Sequence, residues 1–212
     1  MKIKTLEELQ DVLDSDFAWR FKELSILKGN VTSSDSIAVK AQIRIAVVML
    51  YAHWEGFVKN ISEAYLLYVA ARRLKYSELS VCFLAIVMKD KLDKCELTVK
   101  STIHNQAINF LFENVNERAI IPKKDIINTH SNLNSDVFKD IMSTIGIDYS
   151  PYELRFNQID SNLVSMRNTV AHGQFVNLKQ TEFEALYTDV IVLMSSVKTD
   201  VQNAATLKLY RR

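Results

Sequence analysis

The chain reads as an all-α protein, a bundle of helices around one long central element. Three observations carry that expectation. Apolar residues recur at spacings of three and four along most of the chain, the period of helices packed on a core. Only four glycines and two prolines occur in 212 residues, which favours long helices and few tight turns. Hydrophobic residues make up 48%, enough for a chain of this length to bury a sizeable core as a single domain over 1–212.

Thr5 followed by Glu8 forms a capping-box pattern that opens a first helix running to about Lys28. Leu6, Leu9, Leu13, Phe17, Phe21 and Leu24 supply its apolar stripe. Gly29-Asn30 ends it, and residues 32–36 form a polar linker. A second helix starts near Ser34 or Asp35 and continues to about Arg73 with only Gly56 to interrupt it. It is long and apolar on most of its circumference, the mark of a central buried element. At about 100° per residue, Arg44, Tyr51, Glu55 and Ser62 fall close to one line on it. Such a polar row is either a hydrogen-bonded network that fixes packing or part of the wall of a cleft. His53 points away from that row and reads as a packing histidine; Trp54 reads as core, and Gly56 admits a close neighbour.

A third helix is expected from Ser77 to about Leu92, followed by a mixed-charge solvated run, and a fourth over about Ser101–Asn114. Residues 115–134 are the least helical stretch. Their amide-rich end, Asn128, His130, Ser131, Asn132 and Asn134, suits turns and local capping, or polar contact with nucleotides. Ser135 or Asp136 caps a short helix ending at Gly146. Ser150-Pro151 introduces the next helix, about 152–172, on which Phe156, Ile159, Leu163, Met166 and Val170 form the buried stripe. A last helix begins near Thr181, and the basic tail Lys208 to Arg212 is expected to fray.

The helix over 152–172 carries the residues of most chemical interest. Its stripe leaves Arg167, Asn168 and His172 off the buried line, and Gly173 stands where a left-handed cap would end the helix. A guanidinium can fork onto phosphate oxygens and an imidazole can move a proton, so the pair could handle a phosphodiester. Asn168 and His172, four apart, share one side. An arginine and a histidine near a helix end are equally compatible with a solvated face.

Resemblance separates these readings. The run RNTVAHG, Arg167 to Gly173, resembles the R-x4-6-H motif of HEPN domains. The stretch RIAVVMLYAHWEGFVKNISEAYLLY, Arg44 to Tyr68, resembles the second helix of the RiboL-PSP-type HEPN family, and IINTHSNLNSDVF, Ile126 to Phe138, resembles the segment ahead of its motif helix. The resemblance implies a HEPN-like bundle acting as a metal-independent endoribonuclease, with Arg167, His172 and Asn168 catalytic and no cofactor. Tyr51, Arg44 and Glu55 are candidates for the substrate-binding wall. It further implies a homodimer acting on RNA, in a toxin or antiviral-defence setting with an antitoxin or defence-system partner. Some relatives carry a tyrosine two residues past the histidine that an antitoxin nucleotidylates; Gln174 stands there in this chain. The alternative is a catalytically silent HEPN-like binding or dimerisation module.

Lys plus Arg number 26 against 25 acids, so any RNA contact must come from a local patch and not from a global basic field. Cys82 and Cys95 lack metal-site spacing and read as reduced thiols. No carboxylate pair has a spacing that forces a metal site. No apolar leader and no uncharged stretch of about eighteen residues stands out, so the expected setting is cytoplasmic, away from membranes. Surplus apolar surface on the second helix and on Tyr187, Ile191 and Met194 of the last helix is the sequence reason to expect a dimer.

Overall fold

The computed structural model describes residues 2–31 and 36–212. Among the described residues seven α-helices form: α1 (Leu6–Asn30), α2 (Ile37–Arg72), α3 (Val81–Glu96), α4 (Ser101–Asn114), α5 (Ser135–Thr144), α6 (Ser165–Ala171) and α7 (Gln180–Thr206). Among the described residues no sheet forms, and only two isolated bridges occur, Lys75 with Arg118 and Leu79 with Arg211. The all-α expectation holds.

The capping box at the start of α1 is formed. Thr5 Oγ1 accepts the Glu8 N–H at 3.0 Å, and the Glu8 carboxylate accepts the Thr5 N–H at 3.1 Å. Helix α2 is capped by Ser36, whose Oγ accepts the Val39 N–H at 3.3 Å. The expected caps Ser34 and Asp35 lie outside the described residues.

Helices α1, α2 and α7 pack on one another as the central unit, with α2 in the middle. Its Trp54, Phe57 and Tyr65 are fully buried. Length and apolarity alone would also suit α2 to cross a membrane. Here α1 and α7 cover part of that surface, and Trp54 lies 5.4 Å from the Phe138 ring of α5. His53 is a packing residue, as expected: it is buried, with Nε2 2.9 Å from the Glu23 carboxylate and its ring against Trp19 of α1. Gly56 matters for the same interface. A Cβ there would come 3.0 Å from the Arg20 guanidinium, which donates to the His53 carbonyl.

Two expectations fail for one reason. The third helix does not begin at Ser77, because the backbone donors there are taken elsewhere. Tyr76 N–H bonds Glu117 O, Ser77 N–H bonds Val115 O and Ser80 N–H bonds Tyr210 O, at 2.9–3.0 Å. A 3-10 turn over Tyr76–Glu78 results, and α3 starts at Val81. The C-terminal tail is therefore not frayed. Tyr210 is buried, and Arg211 pairs with Glu78 at 2.7 Å.

Helix α4 spans Ser101–Asn114 as expected, and 115–134 is irregular. Helix α5 is capped one residue earlier than expected, by Asn134, whose Oδ1 accepts the Val137 N–H at 2.9 Å. The expected apolar surplus is in part taken up within the chain, although Ile37 and Ile45 of α2 stay exposed. Tyr187 and Met194 are buried within one chain, and Ile191 is half-buried against the core.

Candidate functional site

The helix expected over about 152–172 is not continuous. A 3-10 turn (Ser150–Arg155) leads into a π-helical segment (Gln158–Val164), and only then does α6 begin. Tethers to α7 fix the first two pieces. Tyr152 Oη donates to Asp200 at 2.5 Å, Arg155 reaches Asp189 at 3.3 Å, and Gln158 Nε2 donates to the same carboxylate at 3.2 Å. Widening the helix by a π segment shifts its register, so Leu163 and Val164, neighbours in sequence, are both buried.

Helix α6 ends in a Schellman motif. The Gln174 N–H bonds Thr169 O and the Gly173 N–H bonds Val170 O, both at 3.0 Å, and Gly173 has φ +73°. The left-handed cap expected at Gly173 is present. His172 is the residue just before it and is exposed.

Asn132, Asn134, Asp160, Asn168, Thr169 and His172 line an open polar cleft of about 430 Å³. Asp160, Val164, Asn168 and His172, each four residues apart, form one side of it. Asn168 and His172 thus share the cleft, joined through the backbone bond from His172 N–H to Asn168 O at 3.0 Å. No hydrogen bond links their side chains among the described residues.

Arg167 faces the other way. Its guanidinium lies 3.9 Å over the Tyr51 ring and donates to Ser131 O at 3.0 Å and Asn132 Oδ1 at 3.2 Å. It thereby clamps the amide-rich segment against α2. The same segment is held a second time, because the buried Leu133 N–H donates to Tyr51 Oη at 2.6 Å. Burial pushes the Tyr51 hydroxyl above its ordinary range, which keeps it a neutral acceptor. His130 and Ser131 adopt consecutive left-handed conformations, φ +51° and +52°. An Asx-type bond from His130 N–H to Asn128 Oδ1 (2.8 Å) and the Arg167 bond hold them there. The turn and capping reading of the segment is thus realised, and Arg167 additionally ties the segment to the motif helix.

The three candidates for the binding wall separate. Tyr51 touches Arg167. Arg44 instead stacks on the exposed Phe175 ring at 5.5 Å, in the loop after the motif. Glu55 is half-buried beside Tyr51, where its charge helps raise the hydroxyl. None of the three, Tyr51, Arg44 or Glu55, lines the cleft itself.

Asp160, Val164 and Ser165 line the cleft without having been singled out by the sequence, and Asp160 is the polar anchor among them. Asp160 accepts the Ser135 N–H at 2.7 Å and the Ser135 Oγ–H at 2.6 Å, closing the first turn of α5 from across the cleft. Its spacing of eight from Asn168 was the available signal. Among the described residues no group of three or more His, Cys, Asp or Glu side chains is arranged to hold a metal ion. Cys82 and Cys95 are free thiols.

An all-α bundle with an arginine–histidine pair on a short capped helix beside a polar cleft defines the class as a HEPN-type domain. The chain belongs to the RiboL-PSP-HEPN family, whose model matches residues 15–203. That family is associated with ribonuclease or nucleotide-related roles and includes inactive members. No match was found among curated proteins or among solved structures.

Proposed function

We propose that the protein is a metal-independent endoribonuclease acting on RNA as a homodimer. The observation that carries this reading is the exposed His172, beside Asn168, on a polar cleft whose far wall is the Arg167-clamped segment 128–134. RNA contains its own nucleophile. The 2′-oxygen attacks the adjacent phosphorus and gives up its proton to an imidazole, while the bond from phosphorus to the 5′-oxygen breaks. An imidazolium supplies the proton that the departing oxygen takes, leaving a 2′,3′-cyclic phosphate and a 5′-hydroxyl. One His172 acts as base and the His172 of a second chain as acid. Arg167 stabilises negative charge on the phosphorane-like transition state, and Asn168 holds phosphate.

The dimer rests on different surface from the one expected in sequence. Leu154 and Phe175, at 96% and 66% exposure, stand before and after the motif helix in sequence and leave apolar area exposed on this part of the chain. Two chains meeting there concentrate both copies of Arg167 and Arg44 in a chain whose net charge is only +1. The setting that follows is a cytoplasmic toxin or antiviral-defence effector with an antitoxin or defence partner. Gln174 leaves no tyrosine for nucleotidylation two residues past the histidine.

The second reading is a silent binding or dimerisation module. Commitment of the Arg167 guanidinium to Ser131 and Asn132 favours it, because catalysis needs that group turned toward phosphate. RNA incubated with wild type in the presence of chelator decides between them. The enzyme yields cyclic-phosphate ends, whereas the silent module binds RNA and leaves it whole.

A further inference from the structure

At the opposite end of α2, three distant parts of the sequence bring cations to one pocket. Lys2 and Lys4 come from the segment before α1, Arg72 and Arg73 from the end of α2, and Lys123 from the irregular segment. The pocket has a volume of about 490 Å³, within the range of small-molecule sites. Ala70 and Ala71, with Leu67, form an apolar floor. No acidic side chain lines it. In a chain with 26 basic and 25 acidic residues, five cations around one cavity is a marked local excess.

Local structure accounts for only part of this. Arg72 and Arg73 suit a helix C-terminus, where backbone carbonyls favour positive charge; that argument does not reach Lys2, Lys4 or Lys123. Among the described residues none of the five forms an ion pair with a carboxylate. Glu8 senses the charges of Lys4 and Arg72, and its carboxylate is engaged by the Lys4 and Thr5 backbone N–H groups at the start of α1. Arg72 is held in place. Its guanidinium lies 4.5 Å over the Tyr68 ring and donates to the Lys4 carbonyl, yet its Nε–H is buried with no acceptor. Like charges gathered on a concave surface repel, and an anion seated among them would relieve that repulsion and accept charge-assisted hydrogen bonds from them.

We propose that this pocket binds a small anion carrying several adjacent phosphates, an oligophosphate or the phosphate chain of a nucleotide. Its size and enclosure favour such a ligand over a nucleic-acid strand, which needs a groove along which successive phosphates are contacted. The site is separate from the motif cleft. From Tyr51, which carries Arg167, to Ala70 is nineteen residues along α2, about 30 Å at 1.5 Å per residue.

The test is titration calorimetry of the full chain with three probes: sodium tripolyphosphate, ATP and a short 2′-O-methyl single-stranded RNA that cannot be cleaved. Tripolyphosphate and ATP are expected to bind, more weakly as salt rises. Equal affinities identify the phosphate chain as the whole ligand, whereas tighter ATP binding adds the nucleoside on the apolar floor. Arg73→Ala and Lys123→Ala, both at exposed side chains, should each weaken binding by about tenfold, the loss of one charge-assisted contact. Matched unfolding temperatures show that these variants are folded. His172→Ala should bind as wild type does. The proposal is overturned if neither phosphate probe binds, if both pocket variants bind like wild type, or if only the RNA binds.

Discussion

Helix α2 and the motif segment lie against each other and obey different rules. Over its 36 residues α2 buries Trp54, Phe57, Val58, Ile61 and Tyr65 almost completely, and it is covered from several sides. The motif segment changes helix type twice within about twenty residues, and its last piece, α6, contains no buried residue. One is a rigid wall held by hydrophobic burial. The other is positioned by discrete polar tethers: Tyr152 to Asp200, Arg155 and Gln158 to Asp189, and Arg167 to Ser131 and Asn132. Tethers of this kind leave polar side chains open to solvent, which a cleft requires, whereas burial supplies stability. Mutations in the two regions should therefore have different consequences.

The largest effect belongs to the wall. Trp54→Ala should lower unfolding free energy by about 3–5 kcal/mol, read as a shift in denaturant midpoint, because the side chain is fully buried against Phe138. A loss below 1 kcal/mol would mean that α5 does not dock as described.

Where wall and cleft meet, Tyr51→Phe keeps the ring beneath Arg167 and removes the oxygen that accepts the Leu133 N–H. Leaving that buried donor unpaired should cost about 1–3 kcal/mol. Hydrogen exchange at the Leu133 amide should accelerate more than at α7 core amides; uniform acceleration would show that the segment is not held separately.

Gly173→Ala tests the cap. A Cβ there meets nothing within 4 Å, so the penalty comes from φ +73° alone and should be about 1 kcal/mol. Its signature is loss of helicity at the end of α6 with α7 unaffected, followed by NMR chemical shifts.

The smallest effect is a pH dependence in the wall. Burial holds the His53 imidazole below its ordinary value of 6.5, against the opposing pull of Glu23. As pH falls through that value the unfolded chain takes up the proton and the folded chain does not, so stability decreases. The decrease levels off once the folded form also protonates. His53→Gln should flatten the slope of stability between pH 7 and about pH 5.5; an unchanged slope assigns it to other groups.

How much of this was legible depends on how local the signal was. The Thr5–Glu8 capping box, the span of α4 and the glycine cap at Gly173 are set by near neighbours, and each was readable. The late start of α3 was not, because its cause is pairing with Val115, Glu117 and Tyr210, far along the chain. The same pairing holds down a tail whose composition suggested fraying. The π segment was hidden because Phe156, Ile159, Leu163 and Met166 keep helical spacing through it. At the site, the pattern singled out His172 and Asn168, which line the cleft, and Arg167, which clamps its wall. It did not reveal that Arg167 turns toward Tyr51, since side-chain direction depends on partners a periodicity does not encode. Asp160 was missed because its contact with Ser135 crosses between elements. Of the apolar surface that argued for a dimer, Tyr187 and Met194 are buried because α2 and α7 pack on each other within one chain, while Ile37 and Ile45 remain exposed.

The central claim is that His172 moves protons in RNA cleavage, and the most direct test is end-sequencing of RNA treated with wild type and with His172→Ala in the presence of chelator. Wild type should leave 2′,3′-cyclic phosphate and 5′-hydroxyl ends. His172→Ala should slow cleavage by about 10²–10⁴-fold with an unchanged unfolding temperature, since the side chain is exposed. Equal cleavage by the folded variant, or activity that disappears with chelator, would contradict the account.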